Sequence, residues 1–269
     1  MRRLISLPLG LAAVVVATAR VSHAGFSVGP SAVVVRFAEG TVHGFLELHA
    51  ASGSLLAQGD LLQVPRDSDI ESKLVFHFAD SSVFRETVTF TQHGVFSLEN
   101  YHLVESGPAF AADLDATVSR SGEYVVTTTD HKDKHQQKFT GKLDMPIDVY
   151  NGMIIVVGKN LVGRAGQTVH IVAFTPKPMV LPLEIAPSGT QPLQVGDGRH
   201  AETAMRFTLK PKLNLLLKIG AALKGKTPPD SHLWIVTDEV PAFVRFEGPM
   251  YSGPVWRVDL TSPRWTTEK

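Results

Sequence analysis

The chain has 269 residues, 43% of them hydrophobic and 19% charged, and no cysteine; this balance supports a sizeable core and excludes global disorder, disulfides, thiol catalysis and cysteine-ligated zinc. Its 26 basic residues equal its 26 acidic ones. Three of the basic residues, Arg2, Arg3 and Arg20, fall in the first 24 residues, which hold no acid, so the remainder is mildly acidic and has no general attraction for phosphate backbones.

Residues 1–24 have the layout of a secretory signal peptide. Arg2 and Arg3 precede an apolar run from Leu4 to Ala19, and Ser22-His23-Ala24 puts small residues at the −3 and −1 positions of a cut before Gly25. The run is too short to cross a bilayer as a helix. No cysteine follows for lipidation, and the paired arginines lack the surroundings of a twin-arginine signal. The expectation is an exported protein, periplasmic or extracellular, with a single β-rich domain over 25–269.

Past the leader, most of the chain alternates with period two, the spacing that places side chains on opposite faces of a sheet. Thr41 to His49 and Leu55 to Val64 flank the turn Ala51-Ser52-Gly53. Leu74 to Phe78 and Phe84 to Thr91 flank Asp80-Ser81-Ser82, and His93-Gly94 turns the chain into Val95 to Val104. A further hairpin joins Leu114 to Ser119 with Tyr124 to Thr129, and a polar loop from Asp130 to Gln137 leads to Lys138 to Leu143. The segment from Met145 to Gly152 breaks the alternation and predicts a helix through Met153 to Asn160, with Pro146 near its first turn. Strands then resume at Thr168 to Thr175, Val180 to Ile185, Gln191 to Val195, Ala201 to Leu209, Leu233 to Phe246 and Pro254 to Leu260. Pro176, Pro178, Pro182, Pro187 and Pro192 predict an edge strand. Turn residues every 8 to 12 positions predict an antiparallel architecture, and no longer repeat supports a solenoid or propeller.

The candidate chemistry is sparse. His131 and His135, flanked by Asp130 and Asp133, have the i, i+4 spacing of a metal pair, but the β pattern puts them at a hairpin tip with Lys132 and Lys134, which repel a cation; no metal or cofactor is expected. Asp144, Asp148, Tyr150 and Asn151 gather where the helix should begin, where Asp144 would cap and the acids would meet the positive end of the dipole. Asp60 and Gln63 lie inside a strand-like run and predict a buried hydrogen-bonded network, with Arg85 and Glu86 as partners. No Gly-x-Ser-x-Gly elbow, His-Glu-x-x-His pair or phosphate-cradling glycine loop is present. Leu213 to Leu223 is the most apolar stretch after the leader, and its lysine borders fit either a core segment or a peripheral contact with an anionic membrane surface.

Several stretches together resemble a family of uncharacterised exported bacterial proteins, to which no activity is attached. They are His43-Gly44-Phe45-Leu46, Ala57-Gln58-Gly59-Asp60-Leu61, Glu86-Thr87 with Phe90-Thr91-Gln92, Leu143 to Gly152, and Ala242-Phe243-Val244 through Glu247-Gly248-Pro249-Met250-Tyr251 to Trp256-Arg257-Val258. Leu233-Trp234-Ile235-Val236-Thr237-Asp238 with Val240-Pro241 is more distantly similar to the last hairpin of periplasmic lipoprotein carriers. That likeness implies a curved antiparallel sheet wrapped around a helix and sheltering an acyl chain.

The fold class expected is mainly β: a strongly curved antiparallel sheet or open barrel with one or two short helices on its concave face. Its cavity suits non-catalytic binding of an apolar or amphipathic, lipid-like ligand. Asp60, Gln63, Phe76, Phe78, Phe90 and Tyr150 are the candidate binding residues. Two alternatives stand beside this reading. One is an envelope lipid- or glycan-acting hydrolase using carboxylates such as Asp60, Glu86, Asp144 or Asp148; the other is a structural envelope protein that pairs with a protein partner through an exposed edge.

Overall fold

Alternate side chains of a strand share one face, so an apolar every-other-residue series commits that face to a core. In the computed structural model this rule organises most of the described residues. The structure describes residues 32–174, 178–195, 200–212, 229–237, 240–250 and 253–261. The leader-like segment 1–24 and the apolar stretch 213–223 lie outside the described residues.

Five strands form an antiparallel meander: β1 (Val42–Ala50), β2 (Leu55–Arg66), β3 (Asp69–Phe78), β4 (Val83–His93) and β5 (Val95–Ser106). It continues through β6 (Ala112–Ser119), β7 (Glu123–Asp130) and β8 (Gln136–Lys142). After the helix α1 (Ile154–Leu161) come β9 (Gln167–Ala173), β10 (Met179–Val195), β11 (His200–Pro211), β12 (Ser231–Val236), β13 (Ala242–Gly248) and β14 (Trp256–Thr261). β14 pairs with β1 and joins the two meanders into a single 14-stranded sheet that starts at β8 and ends at β9. The protein is mainly β, and the sheet is open, with β8 and β9 at its ends.

The sheet is strongly curved. Tyr101 on β5 stacks on Phe174, just past β9, with ring centroids 5.8 Å apart and planes 3° from parallel. These residues lie ten strand spacings apart in the sheet order, about 50 Å if the sheet were flat. Only curling brings them together. Inside the curl Leu46, Leu48, Phe76, Phe84, Val88, Phe90, Phe96, Leu98 and Leu103 from the first half share one core with Val169, Ile185, Phe207, Leu233, Ile235 and Val258 from the second.

α1 is a product of this enclosure. Its Ile154-Ile155-Val156-Val157 run is β-branched, and Met153 at its start makes no side-chain cap, so neither propensity nor capping accounts for the helix. Burial does, since Val156, Val157, Asn160 and Leu161 are inside the core. Gly158 sits against β12 so closely that a methyl group there would overlap Leu233.

Several expectations are corrected. Pro146 lies eight residues before the helix rather than in its first turn; its carbonyl, 2.8 Å from Arg120 Nη1, accepts a hydrogen bond in an extended crossing segment. Asp144 is exposed and caps nothing. The expected strands 180–185 and 191–195 are one strand, β10, bent by a register shift between Pro187 and Thr190, and the expected run 233–246 is the separate strands β12 and β13. The proline strand is not the outermost one, since β9 covers Met179 to Ile185. Its prolines are each paired on one side only, Pro182 with His170 of β9, and Pro187 and Pro192 with Phe207 and Thr203 of β11. Pro187 and Pro192 lie past the end of β9, and Pro182 precedes the first β11 pair at Leu183.

Candidate functional site

The concave face is built in tiers that run across the strands. One tier, Gln63, Ser72, Val88, Tyr101 and Val118 in direct register, is buried throughout. Another, Leu46, Gly59, Phe76, Phe84, Glu105 and Leu114, is equally buried. The tier between them is different. Leu61, Leu74 and Glu86, opposite one another on β2, β3 and β4, each keep accessible surface, and Leu103 on β5 closes the series fully buried. Leu260, also partly accessible, lies beside Leu61, because Gly44 has no side chain to separate them: a methyl there would meet Leu260 Cδ1 at 3.2 Å and Leu61 Cβ at 4.0 Å. Three leucines and one carboxyl thus form an accessible strip between buried flanks.

Two inward carboxyls belong to this region. Glu86 Oε1 accepts a hydrogen bond from the Tyr101 hydroxyl at 2.7 Å; burial pushes its carboxyl above the ordinary range, and that hydrogen bond pulls partly the other way. Glu105 is 3% exposed, its Oε1 has no hydrogen-bond partner, and burial raises its carboxyl to about 7. Glu105 sits diagonally from Glu86 across the β4–β5 pair, a relation that separates Cβ atoms by roughly 7 Å.

At one end of the curl the closure is polar. Residues 32–40 enter beside the β4–β5 turn, where Val35 N donates to Gly94 O and Phe96 N to Val33 O, both at 3.0 Å. Glu39 then meets Lys159 of α1 at 2.6 and 2.8 Å and accepts from Gln63 Nε2 at 2.9 Å. Its backbone is held at both N and O by the Gln92 side chain. Asn160 Oδ1 accepts from the backbone N–H groups of Arg36 and Phe37 at 2.8 and 2.9 Å, which fixes this arm to the helix. Tyr150 completes the end: its hydroxyl accepts from Val33 N at 2.8 Å and donates to Phe96 O at 3.3 Å, and burial pushes the phenol up to about 12. At the other end the closure is aromatic, with Phe78, Phe110 and Trp256 ring centroids 5.5 to 6.3 Å apart.

The segment between β8 and α1 seals the edge of β9. Tyr150 N donates to His170 O and His170 N to Asp148 O, and the Asn151 side chain exchanges two hydrogen bonds with the backbone of Val172. Asp148, fully buried, holds His170 Nδ1 at 2.8 Å. A shallow groove of about 330 Å³ lies on the outer face, where Thr87, Thr89, Asn100, His102, Thr117 and Ser119 line it.

Of the predicted binding residues, Gln63, Phe76, Phe78, Phe90 and Tyr150 are buried on the concave side or at its ends. Phe76 packs on Phe84 and Phe90 on Phe96, so these rings mostly fill one another's space and serve as walls. Asp60 is the exception. Three residues from Gln63, it has the opposite parity and points outward, half exposed, with its Oδ1 2.9 Å from His43 Nε2. Arg85 is exposed on the same outer face two strands away, so the expected buried network of Asp60, Gln63, Arg85 and Glu86 does not form; Gln63 is buried against Glu39 instead. The carboxylates considered for acid–base work do not converge, since Asp60 is outside, Glu86 inside, Asp144 exposed and Asp148 paired with His170. His131 and His135 flank the β7–β8 turn, and His131 Nε2 lies 2.8 Å from Asp113. Glu39, Lys159, Glu105 and His170 were not singled out by the sequence reading. Glu105 carried a signal, a carboxyl in the inward series Tyr101, Leu103, Glu105. Glu39, with no alternation around it, carried none.

No protein-family model matches the chain, and no curated protein matches it. Among solved structures it is similar to the β-barrel-like protein of the domain of unknown function DUF1849 from Brucella abortus, at 11% sequence identity and a TM-score of 0.43, over 86% of this chain and 97% of that one.

Proposed function

We propose that this is an exported, non-catalytic binding protein that holds an apolar or amphipathic ligand, lipid-like in character, inside its curved sheet. The observation that carries the reading is the accessible strip of Leu61, Leu74, Leu260 and Glu86 between fully buried tiers. A tightly packed interior leaves no such surface on its central tier. An apolar lining with a few polar groups is the ordinary make-up of a small-molecule site. The resemblance to periplasmic lipoprotein carriers implies the same use of a curved sheet around a helix, and the leader-like N-terminus implies export.

The reading is tested by titrating the purified protein with an environment-sensitive fluorescent alkyl probe and by native mass spectrometry for co-purified lipid. Saturable binding that strengthens with chain length is expected, because each buried methylene contributes about 0.8 kcal/mol. Leu74→Trp, which fills the strip, should weaken it strongly in a variant that still shows native circular dichroism. Binding that is non-saturable, or unchanged in Leu74→Trp, overturns the proposal.

A further inference from the structure

The charges that face the interior bear on which amphiphile it takes. On β4 and β6, the strands flanking Glu105, the inward residues are Phe84, Glu86 and Val88, and Leu114, Ala116 and Val118. Ser72, Leu74 and Phe76 face in from β3. From the opposite half come Leu233, Ile235, Phe246 and Val258, with Val169, Ile185, Phe207 and Leu209 beyond them, none of them charged. Among the described residues the cation that reaches the interior is Lys159, and Glu39 already takes it at 2.6 Å. The Glu86 and Glu105 carboxyls therefore stand in an apolar enclosure without a countercharge, and one oxygen of Glu105 has no hydrogen-bond partner at all.

Resting on the carrier reading, we propose that the interior selects amphiphiles with a basic, amine-type head over those with a carboxylate head. Glu86 and Glu105 receive the head, and Leu61, Leu74 and Leu260 cover the chain. A carboxylate brought here meets two acids and no cation, which raises its free energy or forces it to bind a proton. An ammonium head supplies the countercharge and the donors that the unpartnered Glu105 oxygen lacks. Burial holds Glu105 near 7, so the attraction grows as pH rises through neutrality, and the bound amine in turn favours the ionised carboxyl.

The test compares dodecylamine, dodecanol and dodecanoate as competitors of the alkyl probe. Expected at about pH 8 is an amine affinity at least about tenfold above that of the carboxylate. The margin should shrink at about pH 5, where Glu105 is protonated. Glu105→Gln should narrow it at the higher pH without abolishing dodecanol binding; Glu86→Gln serves as the second variant should the first fail to fold. Leu74→Trp should lose the amine, which separates interior binding from attraction to the acidic surface. Equal or tighter carboxylate binding, or amine binding that survives Leu74→Trp, overturns this inference while alcohol binding keeps the carrier reading standing. If none of the three competes, the carrier reading itself falls.

Discussion

At one end of the curled sheet Phe78, Phe110 and Trp256 close the interior by ring contacts, whereas at the other Glu39, Lys159, Gln63, Gln92 and Asn160 close it through an ion pair and directed hydrogen bonds. The two closures do different physical work. Ring packing is non-directional and accepts any side chain of similar volume, so it seals without specifying which segment lies where. The polar end specifies: the arm at 32–40 can satisfy Asn160, Gln92 and Lys159 together in one register only. Its cost is brittleness, because a buried charge left without its partner is far worse than an apolar residue in the same place.

The largest expected effect therefore lies at the polar end. Lys159→Met should destabilise by about 3–5 kcal/mol in denaturant unfolding, because it strands the buried Glu39 carboxylate. Adding Glu39→Gln should recover part of that loss. A loss below about 1 kcal/mol would place the ion pair among weak surface pairs and erase the contrast.

Next is Glu105, the polar atom left unsatisfied near the aromatic end. Its folded-state carboxyl titrates near 7, against an ordinary value of 4.5, so between those two pH values the folded protein binds the proton more tightly than the unfolded chain does. Stability should thus fall as pH rises through this window, by on the order of 3 kcal/mol, with Glu86 adding in the same direction. Thermal melts across the window should show this slope, and Glu105→Gln should flatten it; a slope unchanged in the variant would assign the effect elsewhere.

Phe78→Leu, at the tolerant end, should cost less than about 1.5 kcal/mol. A cost matching that of Lys159→Met would show that the aromatic closure is as exacting as the polar one. The smallest effect is expected for Asp60→Asn, within about 0.5 kcal/mol by chemical denaturation, because Asp60 is half exposed and pairs with His43 on the outer face.

The alternation of Leu46, Leu48 and Phe76, Phe78 was enough to read strands and their inward faces, and Ser52-Gly53 and His93-Gly94 marked the hairpin turns. Parity alone also separates Asp60 from Gln63. Reading the two as one network fails because side chains an odd number of residues apart in a strand point to opposite faces. The helix was legible as a break in the alternation, yet its start was not. Pro146 and Asp144 carry helix-start chemistry, whereas burial against Leu233 fixes α1 at Ile154.

By itself the sequence determined the β class and most strand boundaries, because period two is a local property of an extended chain. Tertiary structure alone decided that Tyr101 meets Phe174 across ten strand spacings, that Lys159 meets Glu39, and that Leu61, Leu74 and Glu86 keep accessible surface. Those relations depend on how far the sheet curls, which is set by bulges, twist and packing summed over fourteen strands, and no local pattern encodes that sum.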